Sequence, residues 1–137
     1  MVGKDISGLR ILDEKHIPGH QLTALFESLH WSSGRYPEKL VRAVANSHTV
    51  TSLWDGDTLV GLVTAISDGA LCAYFPYVAV RPDYQGLGLG SRLLREAMKP
   101  YRGFHHVSLI SYAEKEGFYL RNGFSHDPGK KALFAKT

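Results

Sequence analysis

The stretch YVAVRPDYQGLGLGS, residues 77–91, decides how the rest of this sequence is interpreted. Its first half has the β-branched and aromatic composition of a strand, three alternate glycines mark a tight turn, and helical spacing begins at Ser91. Glycine lacks a Cβ, so the backbone of such a turn can approach a ligand closely. The first amides of the following helix have no partner inside the helix and carry partial positive charge. The stretch therefore predicts a binding site for a pyrophosphate group.

Two other phosphate-binding patterns do not fit this turn. A P-loop requires Lys followed by Ser or Thr after its last glycine, and Gly90 is followed by Ser91 and Arg92. The dinucleotide fingerprint requires a third glycine at position 91 and opens a βαβ unit, whereas this strand follows consecutive antiparallel strands. A Gly-rich turn without a ligand remains the simpler alternative.

Apolar periodicity predicts the elements on either side of this stretch. The expected strands are 9–12, 48–54, 58–66, 71–80, 107–110 and 132–136. The expected helices are 21–29, a second one beginning at Pro37, 91–99 and 113–122, the last ended by Gly123 in the left-handed conformation. The order β-α-α-β-β-β-α-β-α-β predicts an α+β fold around one mixed, mostly antiparallel sheet.

Length and composition place the chain among ordinary globular proteins. Its 137 residues suit a single domain, 1–137, and 44% apolar with 21% charged residues argue against disorder. A net charge of +3 is too small to predict nucleic-acid binding. The window 81–102 holds five basic and two acidic residues, so the whole surplus lies around the Gly-rich turn.

Other features of the composition exclude several classes of protein. The single cysteine, Cys72, excludes an intrachain disulfide, and the seven histidines lack metal-site spacing, so we expect no metal. No run approaches the roughly 18–20 apolar residues of a membrane helix. Residues 1–5 begin no secretory signal, so we expect a cytoplasmic protein that does not bind membranes.

Two motifs carry a resemblance to a known family. Gln85-x-x-Gly88-x-Gly90 resembles motif A of the GCN5-related N-acetyltransferases, [QR]-x-x-G-x-[GA]. Residues 117–124, GFYLRNGF, are similar to that family's motif B, which usually ends F-Y-x-x-x-G-F. The element order agrees from the first strand to the last. Within the family, residues 38–90 are similar to a branch near the plant and bacterial arylalkylamine (serotonin) acetyltransferases.

The resemblance implies a fold in which the sheet splays between strands 4 and 5 and acetyl-CoA binds there as co-substrate. Its pantetheine arm would pair with the backbone of residues 78–80, and the amides of 85–91 would hold the pyrophosphate. Pro76 is consistent with a bulge at the splay or with a simple sheet edge. The residues implied in cofactor binding are Val78, Ala79, Val80, Gln85, Gly86, Leu87, Gly88, Leu89, Gly90, Ser91 and Tyr112.

The family's reaction is direct attack of an amine on the thioester, and it implies an acid for the leaving thiolate. Tyr119 matches the motif-B tyrosine that has this role. A thiol of pKa ~8.5 and a tyrosine of pKa ~10 make the transfer uphill by roughly 2 kcal/mol, a gap that a polarised site closes. The alternative is a tyrosine that only packs beside Phe118.

The amine also needs a base, because a lysine-like amine of pKa ~10.4 is almost wholly protonated at neutral pH. Relatives in the branch often carry an acidic residue where this chain has Tyr77, so a base on this strand is in doubt. The candidates are Asp68, His30 and Tyr77, with turn chemistry as the alternative role of Asp68.

The acceptor pocket of this fold lies between the loop that joins the first two helices and the fourth strand. In this chain those segments supply Trp31, Tyr36, Tyr74, Phe75 and Tyr77, about half of which strand alternation assigns to the core. Aromatic walls suit an apolar or aromatic small-molecule amine, and the absence of an acidic cluster argues against a polyamine.

We thus expect an acetyl-CoA-dependent N-acetyltransferase, as a monomer or homodimer. The alternatives are an acyl-CoA-binding module of the same fold that lacks catalysis and an unrelated phosphate-binding regulatory domain.

Overall fold

The computed structural model describes residues 5–137. Residues 1–4 lie outside the described residues. They begin the expected domain 1–137 and belong to the stretch 1–5 in which no secretory signal is expected. The strands are β1 (Leu9–Leu12), β2 (Thr49–Asp55), β3 (Thr58–Ser67), β4 (Cys72–Val80) and β5 (His106–Ser108). The α-helices are α1 (Gly19–Ser28), α2 (Pro37–Ala45), α3 (Leu89–Met98) and α4 (Glu116–Arg121).

The five strands form one sheet in the order β1-β2-β3-β4-β5. Neighbours from β1 to β4 are antiparallel, and β5 joins β4 in parallel after the crossover through α3. The expected α+β class with a mixed, mostly antiparallel sheet is therefore confirmed. Among residues 5–137, no helix is both long and apolar enough to cross a membrane.

Helices cover both faces of the sheet, which explains why β3 is almost continuously apolar. One core cluster joins α1 and α2 to the sheet through residues such as Leu22, Phe26 and Leu62. The other joins α3 to the opposite face through residues such as Val63 and Leu93. All five of these side chains are at most 1% exposed. Burial of each apolar side chain of this size stabilises the fold by about 1.5–3 kcal/mol.

The sheet opens between β4 and β5. Only Cys72, Ala73 and Tyr74 of β4 pair with β5, so the rest of β4 has no strand on that side. On its other side the register with β3 shifts between Thr64 and Ile66, where two residues of β4, one of them Pro76, oppose a single residue of β3. Proline has no N–H to donate, which suits a bulge. The expected splay is confirmed, and of the two interpretations of Pro76 that the sequence leaves open, the structure shows the bulge.

Two elements differ from the sequence prediction. Residues 132–136 form no strand, and Leu133 and Phe134 are 91% and 75% exposed; β5, with only three residues, offers little edge for a further strand. The expected helix 113–122 begins as the 3₁₀ turn Ala113–Lys115 and becomes α-helical only from Glu116. Its expected end is confirmed, since Gly123 has a φ of 90°.

Candidate active site

A cleft of about 1470 Å³ opens where β4 and β5 separate. We call the part formed by β4 from Val78, the turn 85–88 and the start of α3 the glycine end. We call the part formed by residues 28–33 with Tyr74 and Tyr77 the aromatic end. The expected site residues that line the cleft are Trp31, Tyr74, Tyr77, Val78, Val80, Gln85, Gly86, Gly88, Gly90, Ser91, Tyr112 and Tyr119.

The unpaired edge of β4 presents main-chain groups to the glycine end. The amide of Arg81 donates to the carbonyl of Val60 on β3 at 2.9 Å. Because directions alternate along a strand, Ala79 also points toward β3, whereas Val78 and Val80 point into the opening. Of the three consecutive residues expected to face the cofactor, only Val78 and Val80 have main-chain groups that point into the cleft, because the backbone of Ala79 belongs to the β3–β4 ladder.

The turn after β4 has the backbone conformation that its glycines allow. Gly86 and Gly88 have φ of 78° and 77°, in the left-handed region, and an added Cβ would meet no atom within 4 Å at either position. The side chain of Gln85 donates from Nε2 to the carbonyl of Val80 at 2.8 Å. Gln85 thus fastens the turn to the end of β4, and glycine supplies its curvature.

The amino end of α3 faces the same space. Its first intrahelical hydrogen bond runs from the amide of Arg92 to the carbonyl of Gly88 at 3.1 Å, so the amides of residues 89–91 have no acceptor within the helix. Together with the helix dipole they form an anion-binding surface. The side chains of Leu87 and Leu89 do not line the cleft, because Leu87 points outward and Leu89 is buried in the core.

Gly90 lines the cleft and also has a role that was not expected. A Cβ at this position would lie 3.2 Å from Cε1 and Cζ of Phe118 on α4. Contacts of that length are tighter than ordinary packing, so the missing side chain lets α4 approach α3. Gly90 therefore sets the position of the helix that carries Tyr119.

Tyr119 is half-buried on α4 and lines the cleft. Its ring contacts Phe118 and Phe124 edge to face, with centroids 5.0 and 5.9 Å away. Burial raises the pKa of Tyr119 above its ordinary value, because the charged phenolate is disfavoured away from water. The side chain therefore keeps its proton throughout the neutral range.

The aromatic end is built from side chains rather than from backbone. Phe26 packs edge to face against Trp31 and Tyr77, with centroids 5.4 and 4.9 Å away. The hydroxyls of Tyr77 and Ser33 are hydrogen-bonded at 2.8 Å, which ties the loop after α1 to β4. Phe75 is 2% exposed and is mainly a core residue, as alternation predicts. 

Tyr36, expected in the acceptor pocket, does not line the cleft. It is 56% exposed, and its ring lies 5.5 Å from Nζ of Lys39 on α2. The 3₁₀ turn Ser32–Arg35 reverses the chain before Tyr36 and directs its side chain outward. This turn is not visible in the apolar periodicity of the sequence.

The structure separates the three candidate bases. Asp68 lies outside the cleft, and its Oδ1 accepts the amides of Ala70, Leu71 and Cys72 at 2.8–3.1 Å. These bonds lower the pKa of Asp68 to about 2. Tyr77 is engaged by Ser33, whereas His30 lines the aromatic end.

Several lining residues escaped the sequence analysis. Motif B and residues 110–115 before it contribute further side chains to the lining of the cleft. Among them, Phe118 occupies a motif position that could have indicated it from the sequence. The additional residues of the main cleft include Ser33, Pro82, Ile110, Ser111, Glu114, Lys115, Phe118, Arg121 and Phe134.

A second, smaller cavity of about 380 Å³ lies between α3 and α4 and includes three arginines. Within the described part of the chain, no group of three or more His, Cys, Asp or Glu residues is arranged to hold a metal.

Comparisons with known proteins agree on one family. Residues 46–126 match the acetyltransferase (GNAT) domain model. The chain is 31% identical over 137 residues to the uncharacterized N-acetyltransferase ycf52 of Porphyra purpurea, covering 95% of this chain and 78% of that protein. It is 34% identical over 103 residues to serotonin N-acetyltransferase 2, chloroplastic, of Oryza sativa subsp. japonica, covering 69% and 50%. The solved structure of a GNAT family acetyltransferase from Streptococcus pneumoniae has the same fold, with a TM-score of 0.81 at 24% identity over 93% of this chain and 98% of that one.

Proposed function

Because the chain belongs to the GCN5-related N-acetyltransferase family and is an acetyltransferase of that type, we propose that it transfers the acetyl group of acetyl-CoA to a primary amine. The amine nitrogen attacks the thioester carbonyl directly, the C–S bond breaks, and the CoA thiolate leaves. Membership of the family removes the alternative of an unrelated phosphate-binding domain. The proposed domain is the whole chain, residues 1–137.

One observation carries the proposal: a single cleft combines an unpaired strand edge with an uncapped helix start. The main-chain groups of Val78 and the amide of Val80 suit a pantetheine arm, which would add to β4 as a strand does, whereas the carbonyl of Val80 already accepts from Gln85. The amides of residues 89–91 and the left-handed turn suit a pyrophosphate. Tyr112 lines the same cleft and would cover the cofactor.

Tyr119 is the proposed acid that protonates the leaving thiolate. It lines the cleft with its proton retained, which is the required starting state. Burial raises the pKa of Tyr119, and it also disfavours a bare thiolate in the same cleft and so raises the pKa of the thiol. Their effects on the free energy of the proton transfer therefore oppose each other. The uphill gap thus stays near the roughly 2 kcal/mol of the free groups.

The proposed acceptor is an aromatic or apolar amine. The aromatic end offers Trp31, Tyr74 and Tyr77 as walls, and no described carboxylate lines it. Aromatic faces bind an apolar body and also attract an ammonium group through cation–π contact. The name of the Oryza sativa relative, which includes serotonin, is consistent with such an acceptor.

An acyl-CoA-binding module without catalysis is the second candidate. It is favoured by one observation: Tyr77, where an acidic residue is often found in similar proteins, has its hydroxyl committed to Ser33. Such a module would bind acetyl-CoA and release no CoA thiol in the presence of amines.

Two measurements test the proposal. Isothermal titration calorimetry with acetyl-CoA should give saturable binding, and absence of binding would overturn both candidates. Thiol release should then be followed with a panel containing arylalkylamines, polyamines, amino sugars and a lysine peptide. We expect arylalkylamines to give the highest kcat/KM, whereas binding without release for any amine would favour the inactive module.

A further inference from the structure

We propose that His30 is the base that takes the proton from the attacking amine, an inference that rests on the proposed acetyl transfer. The argument begins with the way α1 ends. The amide of His30 donates to the carbonyl of Glu27 at 3.0 Å, and the amide of Trp31 donates to the carbonyl of Phe26 at 3.0 Å. This pair of bonds is the Schellman motif, whose first residue beyond the helix cap adopts the left-handed conformation.

That left-handed position is usually occupied by glycine, and here it is occupied by histidine. His30 has a φ of 58° and is the only described non-glycine residue with positive φ. A side chain at such a position costs on the order of 1 kcal/mol relative to glycine. The fold bears this cost at a residue that lines the aromatic end of the cleft. A strained backbone that places a reactive side chain in a cleft points to function.

The same motif fixes the surroundings of His30. Trp31, held by the second bond of the motif, packs against Phe26 and near Tyr77, so His30 directly precedes a residue of the proposed acceptor wall and lines the same end of the cleft. His30 is exposed, which lets it return a proton to water. Imidazole is the side chain that most readily exchanges protons near neutral pH.

Other ionisable groups are less suited to the role. Asp68 lies outside the cleft and is committed to three backbone amides. Tyr77 is bonded to Ser33, and Tyr119 is assigned to the thiolate. The charged and titratable groups that line the cleft with His30 are Tyr74, Tyr77, Tyr112, Glu114, Lys115, Tyr119 and Arg121, and Glu27 and Arg35 are the nearest ones along the chain.

The proton balance of the step is complete without a further reactant. The imidazole of His30 takes one proton from the ammonium form of the acceptor, and the neutral nitrogen then attacks the thioester. The proton lost when the new amide forms passes to solvent, and Tyr119 supplies the thiolate with its proton. The imidazolium and the phenolate are reset by exchange with water.

The test uses two variants and two amines. His30→Asn keeps a residue that tolerates positive φ, and His30→Gly restores the residue that the motif prefers. The acceptors are 2-phenylethylamine and its β,β-difluoro analogue, whose ammonium group is far more acidic because fluorine withdraws electrons. Only the first amine needs much help to lose its proton at pH 7.

We expect both variants to lower kcat/KM for 2-phenylethylamine about 100-fold or more at pH 7, the usual contribution of a general base. The loss should shrink as pH rises toward the pKa of that amine and should stay below about 3-fold with the difluoro analogue. His30→Gly should also melt at a higher temperature than the wild type, which separates a catalytic loss from a folding defect.

Equal losses with both amines, or no loss, would overturn the role of His30 while acetyl transfer by the wild type stands. If the wild type binds acetyl-CoA but releases thiol with no amine of the panel, these two included, the proposed function and this role fail together. Binding of acetyl-CoA by each variant, measured by calorimetry, should match the wild type.

Discussion

The two ends of the cleft are built on different principles. The glycine end exposes main-chain amides and carbonyls of β4, the turn and α3, and what it requires of the sequence is backbone conformation. The aromatic end exposes the side chains of His30, Trp31, Tyr74 and Tyr77, of which Trp31 and Tyr77 are held by ring contacts and Tyr77 also by a hydrogen bond to Ser33. A backbone site suits a ligand that never changes, and a side-chain site suits one that differs between family members. Substitutions at the glycine end should therefore affect binding of the proposed cofactor, and substitutions at the aromatic end should affect binding of the proposed acceptor.

The largest effect should come from Gly88→Glu at the glycine end. There is room for a Cβ, so the loss would come from the left-handed φ of 77° and from a carboxylate placed at the anion site. Repulsion of about 3 kcal/mol or more, at surface dielectric, corresponds to a weakening of acetyl-CoA binding by roughly 100-fold or more. Calorimetric Kd values measure it.

Gly103→Glu is the matched control for this prediction. Gly103 has a φ of 87° and equal room for a Cβ, but it does not line the cleft. It should suffer a similar loss of stability and retain the wild-type Kd for acetyl-CoA. If both variants bind acetyl-CoA equally, the turn does not hold phosphate.

Tyr119→Phe comes next, because Tyr119 lines the cleft and its proposed role lies in the proton transfer rather than in cofactor affinity. We expect kcat to fall about 100-fold, the low end of the usual contribution of a general acid, with the Kd for acetyl-CoA unchanged. The ring contacts with Phe118 and Phe124 survive this substitution, so the melting temperature should change little. Unchanged kcat would remove the acid role.

The glycine end is also the part that the sequence predicts best. A positive φ narrows the choice of residue almost to glycine, so the sequence alone indicates the conformation of Gly86 and Gly88 and, outside this end, of Gly123. Pro76, just before this end, narrows its surroundings to a bulge or a sheet edge, because proline cannot serve a regular ladder. These constraints act on the backbone of the residue itself, so the residue type at that position is enough to predict them.

What the sequence could not predict depends on partners distant in the chain. Gly90 appears as one more glycine of the turn, although its lack of a Cβ is required by Phe118, 28 residues later. Tyr36 has the composition of a pocket residue, but a 3₁₀ turn directs it outward. The strand expected at 132–136 fails because its partner β5 is short. Tertiary packing decides the outcomes at Gly90 and at 132–136, and a local turn that apolar periodicity does not show decides the outcome at Tyr36.

A smaller effect is expected from the hydroxyl pair of the aromatic end. Ser33→Ala and Tyr77→Phe each remove one partner of a 2.8 Å hydrogen bond worth about 1 kcal/mol. We expect the KM for an arylalkylamine to rise about 3- to 10-fold in either variant, with the Kd for acetyl-CoA unchanged. The double variant should be no worse than the poorer single one, because both substitutions remove the same bond. Additive losses in the double variant would show that the two hydroxyls act separately.

The smallest effect on activity should come from Asp68→Asn, which tests whether the turn before β4 lies outside the aromatic end. Asp68 lies outside the cleft, so kcat and KM at neutral pH should equal those of the wild type. Its carboxylate instead holds three backbone amides of the turn before β4. A change in kcat would place Asp68 in the reaction after all.

The same variant should change stability with a definite dependence on pH. The backbone bonds hold the pKa of Asp68 at about 2, below its ordinary 3.8, so the ionised form stabilises the folded chain. That contribution is fully present above the ordinary value and is lost as pH falls toward 2, where the protonated carboxyl resembles the amide of Asn. The wild type should therefore melt above Asp68→Asn at pH 7, and the two melting temperatures should converge between about pH 4 and pH 2. Because Asp5, Glu96 and Asp127 also have lowered pKa values, only the difference between the two proteins, followed by thermal melts at each pH, reports on Asp68. A difference that persisted unchanged at pH 2 would mean that the turn depends on the shape of the side chain and not on its charge.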